Sequence, residues 1–258
     1  MDAVLLAGGV PQEEDLLYSI TLGRPKALID VAGKAMAQWV LDALTAAPSV
    51  TGITVMGIGA GEGLSSSKIT SHLSDQGSML GNSLAGIEAV VSANPEVRQV
   101  LMVGCDIPLL TSEMVESLVA LTADATVEIY HSLVARARME ARFPGSRRSY
   151  AHFADGDFAA GDIHVVSPHI GDSHRELWHA LMQSRKSVAK QALHLGPGFL
   201  LRYVSGRLSL AELESRVQRK LGLKVRALEV PYPEMGMDAD KPFQLEICRQ
   251  ELAQRAAV

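Results

Sequence analysis

The first nine residues constrain the fold most, because an apolar segment at residues 4–7 runs directly into Gly8 and Gly9. This segment predicts a buried parallel strand over residues 2–7. Two glycines at its end let the backbone turn tightly and bring its N–H groups against an anion, which a Cβ would obstruct. Turns between a strand and a helix also use glycine for purely steric reasons, so the glycine pair alone is weak evidence for a phosphate site.

Positive charge follows the glycine turn at Arg24 and Lys26, and Gly33 and Lys34 then precede a predicted helix. A guanidinium offers a fixed fork of donors to a polyphosphate, whereas a lysine offers a mobile point charge. The ordered combination of strand, glycine pair, cation pair and Gly-Lys turn therefore favours a phosphate-binding loop over a structural turn.

Strands and helices alternate over the first 120 residues. Strands are predicted at 2–7, 53–58 and 100–103, and helices at 34–47, 81–93 and 111–121. This alternation is typical of a parallel sheet that is covered by helices on both faces.

The second half of the chain has a different pattern. Strands are predicted at 127–135, 150–153, 161–166 and 225–230, with an arginine-rich segment at 136–149. A mostly helical, basic stretch is predicted at 173–220 and a closing amphipathic helix at 241–257. We therefore expect one mixed α/β domain over residues 1–258 with a helical insertion, rather than two independent domains.

Composition excludes several classes of protein. The 24 Lys and Arg nearly balance the 29 Asp and Glu, so a general nucleic-acid binder is not expected. Cys105 and Cys248 form no CxxC pair, which suits a reducing cytoplasm and gives no zinc motif. No signal-peptide pattern and no run of about 18 apolar residues is present, so we expect a cytoplasmic protein without a transmembrane segment.

Asp106 follows the predicted strand at 100–103, and open α/β sheets bind their ligands at such strand ends. A carboxylate that faces a polyphosphate needs a cation between them, and Mg²⁺ binds through one or two carboxylates together with phosphate oxygens. Asp106 could instead cap the next helix, although Thr111 or Ser112 suits that role better.

A second pair of carboxylates, Asp238 and Asp240, lies near the end of the chain. Residues two apart in an extended segment point to one face, so both could bind one metal ion. Asp240 also precedes a helix with Pro242 near its first turn, which makes it a good N-cap. Capping and metal binding are compatible, and capping alone stays an alternative.

Taken in order, these motifs resemble those of a known family. They are the Leu-Ala-Gly-Gly turn, the Arg24 and Lys26 cluster, the Gly-Lys turn, Gly-x-Ser-Leu-Ala-Gly-Ile at 81–87, Cys-Asp-Ile-Pro at 105–108 and Asp-x-Asp-x-Pro at 238–242. The chain resembles the nucleotidyltransferases related to the molybdenum-cofactor guanylyl- and cytidylyltransferases over roughly residues 2–120 and 225–252. The resemblance implies a Rossmann-like α/β fold of the nucleotide-diphospho-sugar transferase (GT-A-like) type. It also implies a reaction that joins an NTP to a small phosphorylated acceptor and releases pyrophosphate.

The resemblance also implies roles for individual residues. Backbone groups of the first motif would line the base and phosphates; these residues are Leu6, Ala7, Gly8 and Gly9. A second set would meet the base or ribose, namely Asn82, Ser83 and Gly86. Arg24 and Lys26 would hold the β- and γ-phosphates and stabilise the leaving pyrophosphate. Asp106 would be the first Mg²⁺ ligand and Asp240 the second, with Asp238 as its neighbour or substitute.

Two departures from the family pattern leave questions open. The acidic segment at 10–22, with Glu13, Glu14 and Asp15, is inserted between the glycines and Arg24. It could be a lid, or it could weaken phosphate binding. Arg24 and Lys26 are also closer together than is common in the family, so which of them has the principal role is open.

The region at 136–222 would read the acceptor. Arg147 and Arg148 could hold an acceptor phosphate, although a solvated arginine-rich loop is an equal alternative. Gly161 could admit close approach of an acceptor, and Asp162 could bind its hydroxyl groups or belong to a turn. A homo-oligomer is also possible.

Other features of this half are expected to be structural. The histidines lack the compact spacing of metal ligands: His164, His169, His174 and His179. A solvated face is expected for Arg185, Lys186 and Lys190, and packing roles for Trp39 and Trp178. The apolar stretch at 193–210 is expected to pack in the core, with contact to a lipid-linked acceptor as the alternative.

Two other functions suit the same pattern less well. A GT-A-type glycosyltransferase would use Asp106 and a metal to hold a nucleotide-sugar, but such a donor has no γ-phosphate for Arg24 and Lys26. A non-catalytic nucleotide-binding maturation protein would not need the full set of charged residues. In the favoured reaction an acceptor phosphate attacks the α-phosphorus directly, so positioning and charge neutralisation would supply the catalysis.

Overall fold

The predicted first strand forms the centre of the sheet. The computed structural model describes residues 1–170 and 197–256, and its first strand, β1 (Asp2–Leu6), has parallel partners on both sides. These partners are β4 (Ile53–Met56) and β6 (Val100–Gly104), and β5 (Ile69–Leu73) continues the sheet beyond β4. Val4 and Leu5 are fully buried, as expected for a central strand with both faces covered.

The remaining strands are added on the other side of β6. They are β7 (Ile129–Ala135), β8 (Ala151–Phe153), β9 (Gly156–Val166) and β10 (Val225–Glu229). The strand order is β10-β7-β9-β6-β1-β4-β5, with β8 paired to β9. Among the described residues, every antiparallel pair of this sheet involves β9, which pairs with β6, β7 and β8, so the sheet is mostly parallel.

Helices cover both faces of this sheet. One face carries α2 (Met36–Ala46), α4 (Ser112–Leu121) and α8 (Pro242–Ala256), whose apolar residues share a core cluster with Leu5 and Leu101. The opposite face carries α3 (Met79–Ala93) and α7 (Leu210–Leu221), which pack around Val4 and Met102. The Rossmann-like, mostly parallel α/β fold expected from the sequence is therefore confirmed.

Short elements complete the described structure. They are α1 (Tyr18–Thr21), α5 (Arg136–Arg142), α6 (Pro197–Val204), the hairpin strands β2 (Asp30–Val31) and β3 (Lys34–Ala35), and 3₁₀ turns at Lys26–Leu28 and Pro233–Gly236. No helix among the described residues is long and apolar enough to span a membrane.

Several boundaries differ from the sequence prediction. The strand β5 was not predicted, and β9 begins at Gly156 rather than Gly161. The helices α6 and α7 lie within the stretch predicted to be helical. Predictions for His174, Trp178, His179, Arg185, Lys186 and Lys190 lie outside the described residues.

Candidate active site

Lys26 lies at the centre of a charged cluster at the carboxyl edge of the sheet. Its backbone N–H donates to the carbonyl of Gly9 at 3.0 Å, which fixes its main chain beside the glycine turn. The Lys26 ammonium donates to Asp106 Oδ2 at 2.6 Å and to Asp240 Oδ1 at 2.5 Å. Three residues that are distant in sequence, and that the sequence analysis selected separately, therefore meet at one nitrogen atom.

Backbone hydrogen bonds hold the two carboxylates in place. Asp106 follows the end of β6, where the N–H of Cys105 donates to the carbonyl of Leu6 at 3.2 Å. The carbonyl of Asp106 in turn accepts a 2.8 Å hydrogen bond from the N–H of Ala239. This bond attaches the segment that carries Asp240 to the end of the strand.

Gly104 makes room for the Asp106 side chain. A Cβ at Gly104 would lie 2.6 Å from Asp106 Oδ1, which is closer than real Cβ contacts. The absence of a side chain at the last residue of β6 therefore lets the carboxylate fold back over the strand end.

The ion pairs control the protonation of this cluster. Burial alone would lower the pKa of Lys26 and raise that of Asp106, yet their mutual attraction wins in both cases. The pKa of Lys26 is raised above its ordinary value and the pKa of Asp106 is lowered, so both are charged near neutral pH. Burial and the neighbouring Asp106 raise the pKa of the Cys105 thiol to about 12, so this thiol stays neutral.

Arg148 forms a second charged group beside the first. Its guanidinium is only 12% exposed and makes an ion pair with the buried carboxylate of Asp238. A second carboxylate, Asp162, lies with Oδ2 4.0 Å from Arg148 Nη2. Asp238 thus pairs with Arg148, whereas Asp240 pairs with Lys26.

A β-bulge positions Asp162. Leu133 pairs with Ala160 and His131 with His164, so β9 uses two more residues than β7 between the same two pairs. Such bulges redirect side chains. Burial and the nearby Asp106 raise the pKa of Asp162 to about 7, while Arg148 opposes the shift.

Gly161 lies within this bulge and is closely packed. A Cβ at Gly161 would lie 2.2 Å from Ser132 Oγ and 3.3 Å from the carbonyl of Met235. The space left by the missing side chain is therefore filled by the protein itself. The packing gives Gly161 a structural role, and its contact with an acceptor stays a prediction.

Asn82 lies beside the glycine turn, together with a carboxylate that the sequence analysis missed. Asn82 Nδ2 donates to Asp75 Oδ1 at 2.7 Å, and Asn82 Oδ1 accepts from the N–H of Gln76 at 2.7 Å. A Cβ at Gly8 would lie 2.9 Å from Asp75 Oδ1. Asp75 follows β5, so a prediction of that strand from the sequence would have identified Asp75 as a carboxylate at a strand end.

Two other predicted nucleotide-binding residues lie in α3 but point elsewhere. Ser83 Oγ donates to the carbonyl of Met79 within the helix. Gly86 is buried against β1, because a Cβ there would lie 2.4 Å from Val4 Cγ1. Gly86 thus allows α3 to pack closely on the sheet, which is a structural reason for a glycine predicted to meet the base or ribose.

Part of the backbone of the Leu-Ala-Gly-Gly motif is hydrogen-bonded within the sheet. The carbonyl of Leu6 accepts from Cys105, and the N–H of Ala7 donates to the carbonyl of Met56 at 2.9 Å. The turn at Gly8 and Gly9 is therefore the part of this motif that leaves the strand and faces the cluster around Lys26.

Two of the predicted arginines lie outside the central cluster. Arg24 is exposed, and its Nε donates to the carbonyl of Thr21 at 3.4 Å. Arg147 is also exposed and lies over the ring of Phe243, with 5.4 Å between guanidinium carbon and ring centroid. Each predicted pair of cations therefore contributes one member to the cluster. These members are Lys26 and Arg148.

The acidic insertion lines an open surface pocket of about 440 Å³. Its wall includes Glu13, Glu14, Tyr18 and Gly23. Among the described residues, no group of three or more His, Cys, Asp or Glu side chains is arranged to hold a metal ion.

Comparison with known proteins gives a consistent result. Residues 3–191 match the family model described as the MobA-like NTP transferase domain. A hypothetical transferase structure from Thermus thermophilus is 33% identical, with a TM-score of 0.81, and the match covers 95% of this chain and 98% of that one. No match was found among curated protein sequences.

More distant structures share the fold. A CMP:2-keto-3-deoxy-manno-octonic acid synthetase complexed with CTP is 17% identical with a TM-score of 0.55, over 98% of both chains. A 4-diphosphocytidyl-2C-methyl-D-erythritol synthase from Anaerococcus prevotii is 10% identical with a TM-score of 0.54, over 98% of this chain and 95% of that one.

Proposed function

The chain belongs to the MobA-like NTP transferase family and is a nucleotidyltransferase, and we propose that it joins an NTP to a small phosphorylated acceptor in a Mg²⁺-dependent reaction that releases pyrophosphate. The main support is the meeting of Lys26, Asp106 and Asp240 at the carboxyl edge of the sheet. This is the edge where open α/β sheets bind their ligands.

The triphosphate would bind between the glycine turn and Lys26. The Lys26 main chain is bonded to Gly9, so its ammonium can reach an anion seated on the turn. Asp75 and Asn82, which lie against Gly8, would form the wall next to the base or ribose. Lys26 would neutralise charge on the β- and γ-phosphates and on the leaving pyrophosphate.

Asp106 and Asp240 would hold the metal ion. Both carboxylates already share one cation, the Lys26 ammonium, which supports their ability to share another. Mg²⁺ is commonly bound through one or two carboxylates, with phosphate oxygens and water as its other ligands. When bound, the metal would neutralise phosphate charge and orient the triphosphate.

Arg148 would bind the phosphate of the acceptor. Arg148 Nε and Asp162 Oδ2 are buried and have no hydrogen-bond partner among the described residues. Buried polar atoms of this kind need a partner, and an anionic acceptor with hydroxyl groups would supply partners for both. The guanidinium is well suited to a phosphate because of its planar fork of donors.

The reaction itself would use no covalent protein intermediate. An acceptor phosphate oxygen attacks the α-phosphorus of the NTP, the bond between the α-phosphorus and the bridging oxygen breaks, and pyrophosphate leaves. Because the Cys105 thiol has a pKa of about 12, it is not a nucleophile at neutral pH. The protein's contribution is to position two phosphates and to neutralise their charge.

Thermal unfolding of the purified protein tests the donor. ATP, GTP, CTP and UTP are each added with and without Mg²⁺, because a ligand that binds the native state raises its stability. We expect a Mg²⁺-dependent increase in Tm with at least one NTP. That NTP is then incubated with a panel of phosphorylated sugars, polyols and cofactor precursors while pyrophosphate is measured. Stabilisation by nucleotide-sugars alone, without pyrophosphate release, would contradict the proposal and indicate a glycosyltransferase.

A further inference from the structure

Lys26 contacts the same carboxylate oxygens that a metal ion would use. Its ammonium lies 2.6 Å from Asp106 Oδ2 and 2.5 Å from Asp240 Oδ1, which are direct ion pairs. Mg²⁺ binds oxygen ligands at about 2.0–2.1 Å. A divalent ion on these two oxygens would be in contact with the ammonium, and the two positive charges would repel each other strongly.

We propose that Lys26 is the counter-ion of the metal-ligand carboxylates in the unloaded protein, and that it moves onto the incoming triphosphate and thereby opens the site to the divalent ion. This proposal rests on the function proposed above. It gives one lysine two successive partners: the carboxylates of Asp106 and Asp240 before loading, and the phosphates of the NTP afterwards.

The position of Lys26 allows such an exchange. Its main chain is anchored to Gly9, and its Cε lies 4.0 Å from the point where a Cβ of Gly9 would be. The side chain therefore runs along the glycine turn on its way to the carboxylates. A lysine has a flexible four-carbon stem, so a rotation of the stem can carry the charge between two sites that share this anchor.

The two carboxylates that contact Lys26 differ in their exposure to solvent. Asp106 has a side chain that is 15% exposed and is fixed at the end of β6, whereas that of Asp240 is 53% exposed. Without a cation between them the two carboxylates would repel each other. Lys26 relieves this repulsion until a divalent ion takes its place.

The ion pairs of Arg148 are made with the other two carboxylates of the cluster. Arg148 is paired with Asp238 and lies 4.0 Å from Asp162. Within the cluster two cations face four carboxylates, so removal of the Lys26 charge increases the excess of carboxylates over cations. A divalent cation would then be attracted more strongly.

The proposal predicts a coupling between two ligands. A triphosphate that withdraws Lys26 raises the affinity for the metal, and by reciprocity the metal raises the affinity for the triphosphate by the same factor. Loss of the ammonium has an opposite effect on the two ligands taken separately. It weakens triphosphate binding but strengthens metal binding in the absence of nucleotide.

Mn²⁺ binding measured by electron paramagnetic resonance tests this without any turnover. The full-length protein and Lys26→Met are titrated with Mn²⁺ without nucleotide. We expect Lys26→Met to bind Mn²⁺ at least about tenfold more tightly than the unchanged protein, because a cation that competes for both carboxylates is gone. Adding Asp240→Asn to Lys26→Met should abolish the gain, and Lys26→Gln provides a second variant if the Met variant does not fold.

Lys241→Met is the matched control. It removes a lysine charge next to Asp240, but the Lys241 ammonium lies over the ring of Phe243, 5.8 Å from its centroid. A change of less than about threefold is expected there, since partly exposed charges at a distance are screened. An equal gain in Lys241→Met would mean a general field effect and would overturn the proposal.

Equal or weaker Mn²⁺ binding by Lys26→Met and Lys26→Gln would also overturn the proposal. The proposed function is decided separately, by Mg²⁺-dependent release of pyrophosphate from the unchanged protein. If pyrophosphate release is found while the Lys26 variants gain no affinity for Mn²⁺, the transferase assignment stands and the exchange of Lys26 is wrong.

Discussion

Gly104 lies directly beneath the carboxylate of Asp106, so that a Cβ at Gly104 would come within 2.6 Å of Asp106 Oδ1. The position of the carboxylate at the centre of the charged cluster therefore depends on a residue that has no functional group. The side chain of Asp106 is short, so moving Oδ1 away from an added methyl group would also shift Oδ2, which Lys26 contacts.

Gly104→Ala should reduce nucleotidyl transfer by about 100-fold, since misplacement of a catalytic group by about 1 Å has an effect of this size. We expect a loss of stability of only about 1–3 kcal/mol, typical of a single added methyl group. Steady-state kinetics and chemical denaturation measure the two effects. Gly198→Ala, where a Cβ would meet no heavy atom within 4 Å, is the control: it should leave activity unchanged and, because Gly198 lies in α6, stabilise the protein by at most about 1 kcal/mol. Normal activity in Gly104→Ala would contradict this account of the Asp106 position.

Removal of either proposed metal ligand should abolish Mg²⁺-dependent turnover. Asp106→Ala and Asp240→Ala are each expected to lower pyrophosphate release by at least about 100-fold, because charge stabilisation at the phosphates is lost. Circular dichroism should show an intact fold in both variants. Near-normal activity in both would refute the assignment of Asp106 and Asp240 as metal ligands.

Lys26→Ala should weaken the binding of a triphosphate by about ten- to 100-fold and the binding of the corresponding monophosphate much less. A hydrogen bond to a charged group contributes about 1.5–3 kcal/mol, which corresponds to this factor. Calorimetric titration at saturating Mg²⁺ measures both affinities. Arg24→Ala is the comparison, because Arg24 is exposed and bonded to Thr21. A larger loss in Arg24→Ala would transfer the principal role to Arg24.

Asp162 should make the unloaded protein less stable as the pH rises from about 4 to about 7. Its pKa is raised to about 7 in the folded protein, by burial and by Asp106, so the folded state binds more protons than the unfolded state in this window. Unfolding free energy therefore falls across the window and stays level above it. Asp162→Asn should remove this slope in a plot of Tm against pH. An identical slope in the variant would show that another group titrates.

Gly161→Ala should destabilise the protein by about 1–3 kcal/mol through overpacking against Ser132 Oγ. Ser132→Ala removes the nearest atom, so the double variant should lose less than the sum of the two single variants. Urea denaturation of the four proteins measures this coupling. Strict additivity would show that Ser132 is not the reason for a glycine at this position.

The parts of the site carried by regular, local patterns could be predicted from the sequence. The apolar run before Gly8 and the alternation of elements predicted β1, β6 and the helices between them. Thr111 caps α4 as expected, since its Oγ1 accepts a 3.4 Å hydrogen bond from the N–H of Met114. These features depend on neighbours along the chain.

Features that depend on distant partners could not be predicted in this way. The strand β5 is half-exposed and carries Thr70, Ser71 and His72, so it lacks an apolar run. The bulge around Asp162 depends on the pairing of β7 with β9, and no single segment indicates it. The same holds for Arg148, whose partner Asp238 lies 90 residues further along the chain.

The hydrogen bond from Ala239 to Asp106 has a consequence for the synthesis of the protein. Every strand of the sheet has been made once residue 229 has left the ribosome, but Asp238 and Asp240 are still to follow. A nascent chain can therefore complete its sheet while its charged cluster is still open on one side. A chain that terminates between residues 229 and 238 would therefore lack the two carboxylates that pair with Arg148 and Lys26, even if its sheet folded.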